Sequence, residues 1–107
     1  MASKKHILLE NKKVFGNLEF SDDLRFMNWY EAVEACKKLG KGWRLPTKDE
    51  LNFLYENKGE IGGFAISGYW SSAELDVNDA WKQNFSSGNQ YSTNKFNYGF
   101  VRAVRAS

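Results

Sequence analysis

The chain has 107 residues, of which 42% are apolar and 26% are charged, and its formal net charge is +2. This length and balance predict one compact domain spanning residues 1–107, large enough to fold without disulfide bonds or a structural metal. Basic and acidic residues alternate along the chain, so we expect no basic face for a nucleic acid backbone. The single cysteine, Cys36, has no partner for an internal disulfide bond.

The N-terminal segment predicts neither a signal peptide nor a membrane span. Residues 1–6 are basic, but only Ile7, Leu8 and Leu9 follow before Glu10. This apolar run is too short for either kind of segment. We therefore expect a soluble chain without membrane insertion, and the sequence leaves its location open.

Two strands are predicted near the N-terminus, at residues 7–9 and 14–20. The second strand alternates Val14, Gly16, Leu18 and Phe20 on one face.

The first predicted helix spans residues 28–39. Asn28 and Glu31 have the spacing of a capping box, and Gly40 marks the end of the helix. Apolar residues then recur at helical intervals. These are Trp29, Ala32, Val33, Cys36 and Leu39.

A second helix is predicted from the capping box of Thr47 and Glu50 to about Asn57, with Gly59 as a breaker. Pro46 and Leu51 occupy the positions of a hydrophobic staple around its N-terminus. Residues 42–46 are a connection between the two helices, and its Trp43 is expected in the core.

The C-terminal part predicts four short strands, at residues 69–73, 80–85, 90–95 and 100–105. Residues 86–89 and 96–99 have the composition of hairpin turns between them. The order of elements predicts an α+β fold in which two helices pack against an antiparallel meander.

The sequence lacks the residue sets of common catalytic and metal sites. The single histidine is His6, and no serine elbow or zinc-ligand pattern is present. Asp76, Asn78 and Asp79 could offer oxygen ligands, but without the glycine and glutamate of a calcium loop they favour a solvated turn. Cys36 lies on the apolar stripe of the first helix and is expected in the core. We predict no catalytic residues, no metal site and no cofactor.

Specific blocks of sequence carry a resemblance to a known family. The chain has Asn-Trp-Tyr-Glu-Ala at 28–32, Gly-Trp-Arg-Leu-Pro-Thr at 42–47, Tyr-Trp-Ser-Ser-Ala-Glu at 69–74 and Val-Arg-Ala-Val-Arg at 101–105. From about residue 26 to 105 it resembles the C-terminal domain of bacterial collagen-like adhesins. The resemblance implies a C-type lectin-like fold, with two helices flanking antiparallel sheets.

The same fold is used by formylglycine-generating enzymes, which share the Arg-Leu-Pro-Thr run. This chain lacks their active-site cysteines near the C-terminus, and it lacks the Glu-Pro-Asn and Trp-Asn-Asp calcium motifs of animal sugar-binding lectins. The resemblance therefore implies a domain that is not an enzyme. An enzyme of this type that has lost its cysteines, and a fixed adhesin module, stay open as alternatives.

The stretch from about residue 70 to 107 also resembles the variable region of proteins diversified by retroelements. In those proteins, randomised adenines in Asn codons cannot produce Lys, Gln, Glu, Met or Trp. Residues 75–79, 86–87, 91–94 and 96–99 contain only types that can be produced this way. Residues of the types that cannot be produced lie outside these blocks. Among them are Glu74, Trp81, Lys82, Gln83, Gln90 and Lys95.

The resulting hypothesis is a fixed scaffold with a variable binding face. Trp29, Trp43, Trp70, Trp81 and Val104 would be buried in the scaffold, and the turns after Glu74, Phe85, Gln90 and Lys95 would converge on one face. This face would bind an unknown protein or surface ligand, with Tyr91, Phe96 and Tyr98 as anchors. The alternative is an ordinary turn-rich meander; the oligomeric state is left open. The candidate binding residues are Leu75, Asp76, Val77, Asn78, Asp79, Ser86, Ser87, Tyr91, Ser92, Thr93, Asn94, Phe96, Asn97 and Tyr98.

Overall fold

A computed structural model describes residues 7–9 and 12–106 of the chain. In this part of the chain, helices and strands follow in the order strand, strand, strand, helix, helix, helix and four strands. Their bounds are β1 Ile7–Leu9, β2 Lys12–Phe15, β3 Leu18–Asn28, α1 Trp29–Lys37, α2 Lys48–Glu56, α3 Lys58–Ile61, β4 Gly68–Glu74, β5 Asp79–Asn84, β6 Gln90–Asn94 and β7 Tyr98–Ala106. None of these helices is long and apolar enough to cross a membrane.

The strands form one seven-stranded sheet in the order β1-β2-β3-β7-β4-β5-β6. All neighbours are antiparallel except β4 and β7, which run parallel. The predicted hairpin turn at 96–99 is therefore wrong, because β7 leaves β6 and inserts between β3 and β4. Residues 101–104 of β7 are all buried, and a strand that is buried on both faces belongs at the centre of a sheet.

The predicted single strand at residues 14–20 is in fact a hairpin. Gly16 has a φ of 65° and turns the chain with Asn17, so that Phe15 pairs with Leu18. The following strand, β3, continues through a polar stretch to Asn28, which the sequence pattern did not indicate. It pairs with β7 on both sides of an irregularity at Asp23 and Arg25.

Both predicted capping boxes are confirmed. The Asn28 side chain accepts from the Glu31 backbone N–H at 2.9 Å, and the Glu31 carboxylate accepts from the Asn28 N–H at 3.0 Å. Thr47 and Glu50 make the same reciprocal pair. Because these bonds join residues three apart, the sequence alone fixes the start of each helix.

The end of α2 at Glu56 agrees with the prediction, whereas the end of α1 does not. α1 stops at Lys37, two residues before the predicted end, and Leu39 is exposed. Gly59 does not break the chain after Asn57 but lies within α3, a single additional turn. A glycine costs little in so short and exposed a turn.

The core has two parts. One packs against α1 and consists of Ala32, Cys36, Leu45, Trp70, Ala80, Val101 and Ala103. The other packs against α2 and consists of Phe15, Leu18, Phe20, Leu51, Leu54, Tyr69, Phe85 and Val104. β7 supplies alternate residues to both parts, which is why it is covered on both faces.

The prediction that five large residues are buried in the scaffold is only partly right. Trp70 and Val104 are fully buried. Trp29 and Trp43 are only partly buried, at the border of the α1 part, and Trp81 is partly exposed beneath Lys48, whose ammonium lies 3.7 Å from its ring centroid. Long polar side chains cover these indole rings where no apolar layer does.

Candidate ligand-binding surface

Two loops that are distant in sequence meet at one end of the sheet. The β4–β5 loop, residues 75–78, and the β6–β7 loop, residues 95–97, both leave the sheet where Asp79 pairs with Asn94. The Lys95 N–H donates to the Asn78 carbonyl at 2.8 Å, which joins the loops directly. Topology thus brings two of the four predicted segments together.

Lys95 is the residue that holds this end together. Its ammonium donates to the Glu74 carboxylate at 2.5 Å and to the Val77 carbonyl at 3.0 Å, and its side chain is only 3% exposed. The Lys95 carbonyl in turn accepts from the N–H of Trp29, at the first residue of α1. One side chain and its own backbone therefore connect both loops to the start of the first helix.

Exposed apolar side chains are concentrated at the same end. Val77 is 77% exposed and Phe96 is 70% exposed, and Leu75 and Tyr98 are each about half exposed. Exposed apolar side chains that lie together are typical of interaction sites.

Two aromatic residues outside the predicted region extend this cluster. Tyr30 of α1 contacts Phe96 with ring centroids 5.3 Å apart, and Phe26 of β3 contacts Tyr98 at 5.5 Å. Both are exposed. The sequence did carry a signal for Tyr30, since it lies off the apolar stripe of its helix. We call residues 26, 30, 75–79 and 93–98 the aromatic surface.

Short polar side chains fix the local shape of the loops. The Asp76 carboxylate accepts from the N–H groups of Asn78 and Asp79, both at 2.8 Å, and thereby closes the β4–β5 loop. Asn97 donates to the Thr93 hydroxyl at 2.6 Å across the other loop. Among residues 7–9 and 12–106, no cluster of three or more acidic, histidine or cysteine side chains could hold a metal ion.

Tyr91 and Ser92 lie in strand β6 at the edge of the sheet, not in a loop. Tyr91 is opposite Lys82, whose buried ammonium reaches across β4 to donate to the Tyr98 carbonyl at 2.7 Å. Burial lowers the pKa of Lys82 and raises the pKa of Tyr91. Tyr91 therefore borders the aromatic surface through Lys82, whereas Ser92 is on the other face of the strand.

Ser86 and Ser87 do not join the surface, so the predicted convergence of all four segments is wrong. Their N–H groups both bond to the Asn84 side chain in the β5–β6 turn. This turn is at the opposite end of β5 from Asp79, which at about 3.3 Å per residue is roughly 17 Å away. Successive hairpin turns in a meander alternate between the two ends of the sheet, and this geometry separates them.

The buried cysteine offers no reactive thiol. Cys36 is 1% exposed, and burial raises its pKa to about 12. A thiol is a nucleophile only as the thiolate, which this environment disfavours.

This arrangement of two helices, one twisted mixed sheet and paired loops is the C-type lectin-like fold. Botrocetin superimposes with a TM-score of 0.68 at 11% identity, covering 92% of this chain and 98% of botrocetin. EMS16, an antagonist of the collagen receptor integrin alpha2beta1, gives 0.68 at 13% identity, with 92% and 99% covered. The snake venom toxin convulxin gives 0.67 at 9% identity, with 100% and 98% covered.

The sequence identifies the family more narrowly. The family model of the Lcl C-terminal domain matches residues 10–105, and the chain belongs to this family. The predicted resemblance to the C-terminal domain of collagen-like adhesins is thereby confirmed. A search of curated proteins gives no significant match.

Proposed function

We propose that this chain is a non-enzymatic binding domain that holds a protein partner on its aromatic surface. The observation that carries the proposal is a cluster of exposed apolar side chains on two loops that buried Lys95 holds in place. Val77 and Phe96 are the most exposed members of this cluster. Large exposed apolar residues on a rigid frame are typical of protein interaction sites.

The fixation of the loops supports high affinity without further ordering. Lys95 holds the Val77 carbonyl, and Lys82 holds the Tyr98 carbonyl, each from a buried position. A loop already held in its bound shape loses less conformational entropy on binding. The aromatic rings then provide contact area at low entropic cost.

The similar structures support a protein as the class of partner. Botrocetin is also known in a complex with the von Willebrand factor A1 domain, a structure with a TM-score of 0.66 and 10% identity to this chain. EMS16 is described as an integrin antagonist. Proteins with this fold therefore bind other proteins, and we assign a protein partner to this chain on the same grounds.

We further infer that a retroelement diversifies the binding face. What supports this is the role of six residues after Trp70 whose types such mutagenesis cannot produce. Five of them make side-chain contacts that hold the scaffold: Glu74 with Lys95, Lys82 with the Tyr98 carbonyl, Gln83 with Asn52, and Gln90 with the Lys48 carbonyl. The sixth, Trp81, lies under the Lys48 ammonium. Three of the six residues support the loops, the other three contact α2, and interchangeable types occupy the loop tips.

The binding proposal is tested by site-specific photocrosslinking in the source cells. p-Benzoylphenylalanine replaces Phe96 in one variant and Ile66 in another; Ile66 is 81% exposed but lies outside the aromatic surface. The position 96 probe is expected to trap one protein that the position 66 probe does not.

The purified crosslinked protein is then titrated against the domain. Phe96→Ser and Val77→Ser should each weaken binding at least tenfold, and Ile66→Ser should leave it unchanged. Equal trapping at both positions, or tight binding by Phe96→Ser, would show that the partner docks elsewhere.

The diversification proposal is tested in the neighbouring genome. We expect a reverse transcriptase gene and a near-copy of the codons for residues 70–107, differing from them at adenine positions. A neighbourhood that contains neither feature would make the domain a fixed adhesin module instead.

A further inference from the structure

Strand β3 contains an irregular segment beside the aromatic surface. Its register against β7 shifts on both sides of Asp23, and Arg25 has a φ of 87°. Among the described residues it is the one non-glycine residue with positive φ. This left-handed conformation is unfavourable for a residue with a long side chain, and bulges of this kind redirect side chains near functional sites.

A hydrogen-bond chain that runs from the surface to the buried Tyr69 maintains this conformation. One oxygen of Asp23 accepts from the Arg25 N–H at 2.7 Å, and the other accepts from the Tyr69 hydroxyl at 2.7 Å. Tyr69 is fully buried, and its hydroxyl also accepts from the Ala65 N–H. Arg102, opposite Asp23 in β7, is buried as well and donates to the Ser21 and Gly62 carbonyls. The bulge is therefore attached to the core through Asp23, while Arg25 and Phe26 remain exposed.

The bulge opens a cleft of about 520 Å³ lined by Asp23, Arg25, Phe26 and Phe100. The rings of Phe26 and Phe100 lie 5.0 Å apart, and Phe26 also contacts Tyr98 of the aromatic surface. Arg25 is exposed, and no carbonyl or carboxylate of the described residues accepts from its guanidinium. Both Asp23 oxygens are already engaged. The cleft thus combines a free cation with an aromatic wall.

We propose that this cleft binds an acidic side chain of the protein partner, with Arg25 holding the carboxylate and the Phe26 and Phe100 rings packing on the neighbouring apolar residue. A guanidinium presents paired N–H donors that match a carboxylate, and it acts most strongly where its own chain supplies no competing acceptor. The inference rests on the proposed function, because Phe26 belongs to the same surface. It adds the chemistry of the partner: a segment in which an acidic and an apolar residue are adjacent.

The test uses ¹⁵N-labelled protein and two capped peptides, acetyl-Ala-Glu-Leu-Ala-amide and acetyl-Ala-Gln-Leu-Ala-amide, which differ only in charge. Amide shifts are followed during titration. The Glu peptide is expected to bind at least fivefold more tightly than the Gln peptide, with shifts centred on residues 23–26 and 100. Equal affinities, or shifts centred elsewhere, would overturn the proposal.

Variants assign the effect to one side chain. Arg25→Gln should abolish the preference for the Glu peptide, and Arg25→Lys should retain part of it, since the charge stays but the paired donors are lost. Lys41→Gln removes the same charge from an exposed site elsewhere and should keep the full preference. A preference that persists in Arg25→Gln would refute the assignment.

Inorganic phosphate is titrated as a third probe. Binding of phosphate as tight as that of the Glu peptide would replace the carboxylate assignment with a general anion site. The peptides do not require the natural partner, so the two proposals fail separately. Loss of the peptide preference with intact dependence of partner binding on Phe96 removes only this inference. The reverse result removes the proposed function and leaves the cleft as a peptide-binding site without an assigned partner.

Discussion

The ammonium of Lys95 lies over the indole ring of Trp29, 4.7 Å from its centroid, although 66 residues separate the two in sequence. The backbone N–H of Trp29 donates to the Lys95 carbonyl at 2.9 Å, so the two residues are joined both through their backbones and through their side chains. A cation over an aromatic face is stabilised further when water is excluded. This contact attaches the β6–β7 loop to α1, and the stability of the aromatic surface depends on it.

Replacing Lys95 with Met should destabilise the domain by about 1–3 kcal/mol. The substitution keeps the apolar stem but leaves the Val77 carbonyl without its donor and Glu74 without its cation. Urea denaturation measures the change. Lys37→Met, which removes an exposed ion pair with Glu34, should cost less than about 0.5 kcal/mol. Equal losses in the two variants would mean that Lys95 does not hold the loops.

Gly99→Ala should destabilise the domain by about 1–3 kcal/mol through overpacking. A Cβ at Gly99 would lie 2.6 Å from Cε of Lys82 and 3.0 Å from Nε1 of Trp70. Gly59→Ala is the matched control, since nothing lies within 4 Å of its Cβ position, and it should be neutral or stabilising by up to about 1 kcal/mol. Thermal unfolding of both variants compares them; a neutral Gly99→Ala would show that Lys82 moves freely.

Cys36 should make stability fall at alkaline pH. Burial raises its pKa from 9.0 to about 12, so the folded state keeps a proton that the unfolded chain releases. The thiol therefore leaves the unfolding free energy unchanged below pH 9. It lowers this free energy as the pH rises toward 12, by about 1.4 kcal/mol at pH 10.

The unfolding free energy of Cys36→Ala should therefore decline less between pH 8 and 10 than that of the wild type. In parallel, the native thiol should resist a disulfide reagent at pH 8 and react once urea unfolds the chain. Rapid labelling of the folded protein would contradict the burial of Cys36.

Glu50 should make stability fall at acid pH. Arg44 donates to both of its carboxylate oxygens, at 2.6 and 2.9 Å, and together with the Thr47 N–H it lowers the pKa of Glu50. A lowered pKa adds stability above the ordinary value, and this stability is lost as the pH falls toward the folded value. Glu50→Gln should cost about 0.5–2 kcal/mol at pH 7 through the weakened cap.

The difference between Glu50→Gln and the wild type should shrink when denaturation is repeated at pH 3. Glu34→Gln serves as the control, because Glu34 is exposed and pairs only with Lys37 in the described part of the chain. A difference for Glu50→Gln that stays the same at both pH values would exclude a role for its charge.

Local features of the fold could be predicted from the sequence because their bonds span few residues. The capping boxes at Asn28 and Thr47 join residues three apart, and both form as predicted. The strands β5 and β6 and the turn between them form close to the predicted bounds. The family resemblance rested on short blocks of sequence, and the match of the family model over residues 10–105 confirms it.

Part of the candidate surface was also accessible from sequence. The segments at 75–79 and 96–98 were identified by composition, and the structure brings them together. Phe26 was missed because a polar stretch surrounds it, and Ser86 was wrongly included because composition does not distinguish one end of a sheet from the other.

The sequence by itself determined where α1 and α2 begin and which family the domain belongs to. Tertiary structure alone decided that β7 enters between β3 and β4, that Lys95 reaches Trp29, and that Arg25 is held in a left-handed conformation beside Phe26. Each of these depends on the pairing of strands far apart in the chain. The free energy of such pairing comes from burial shared by many residues, and no short stretch of sequence contains it.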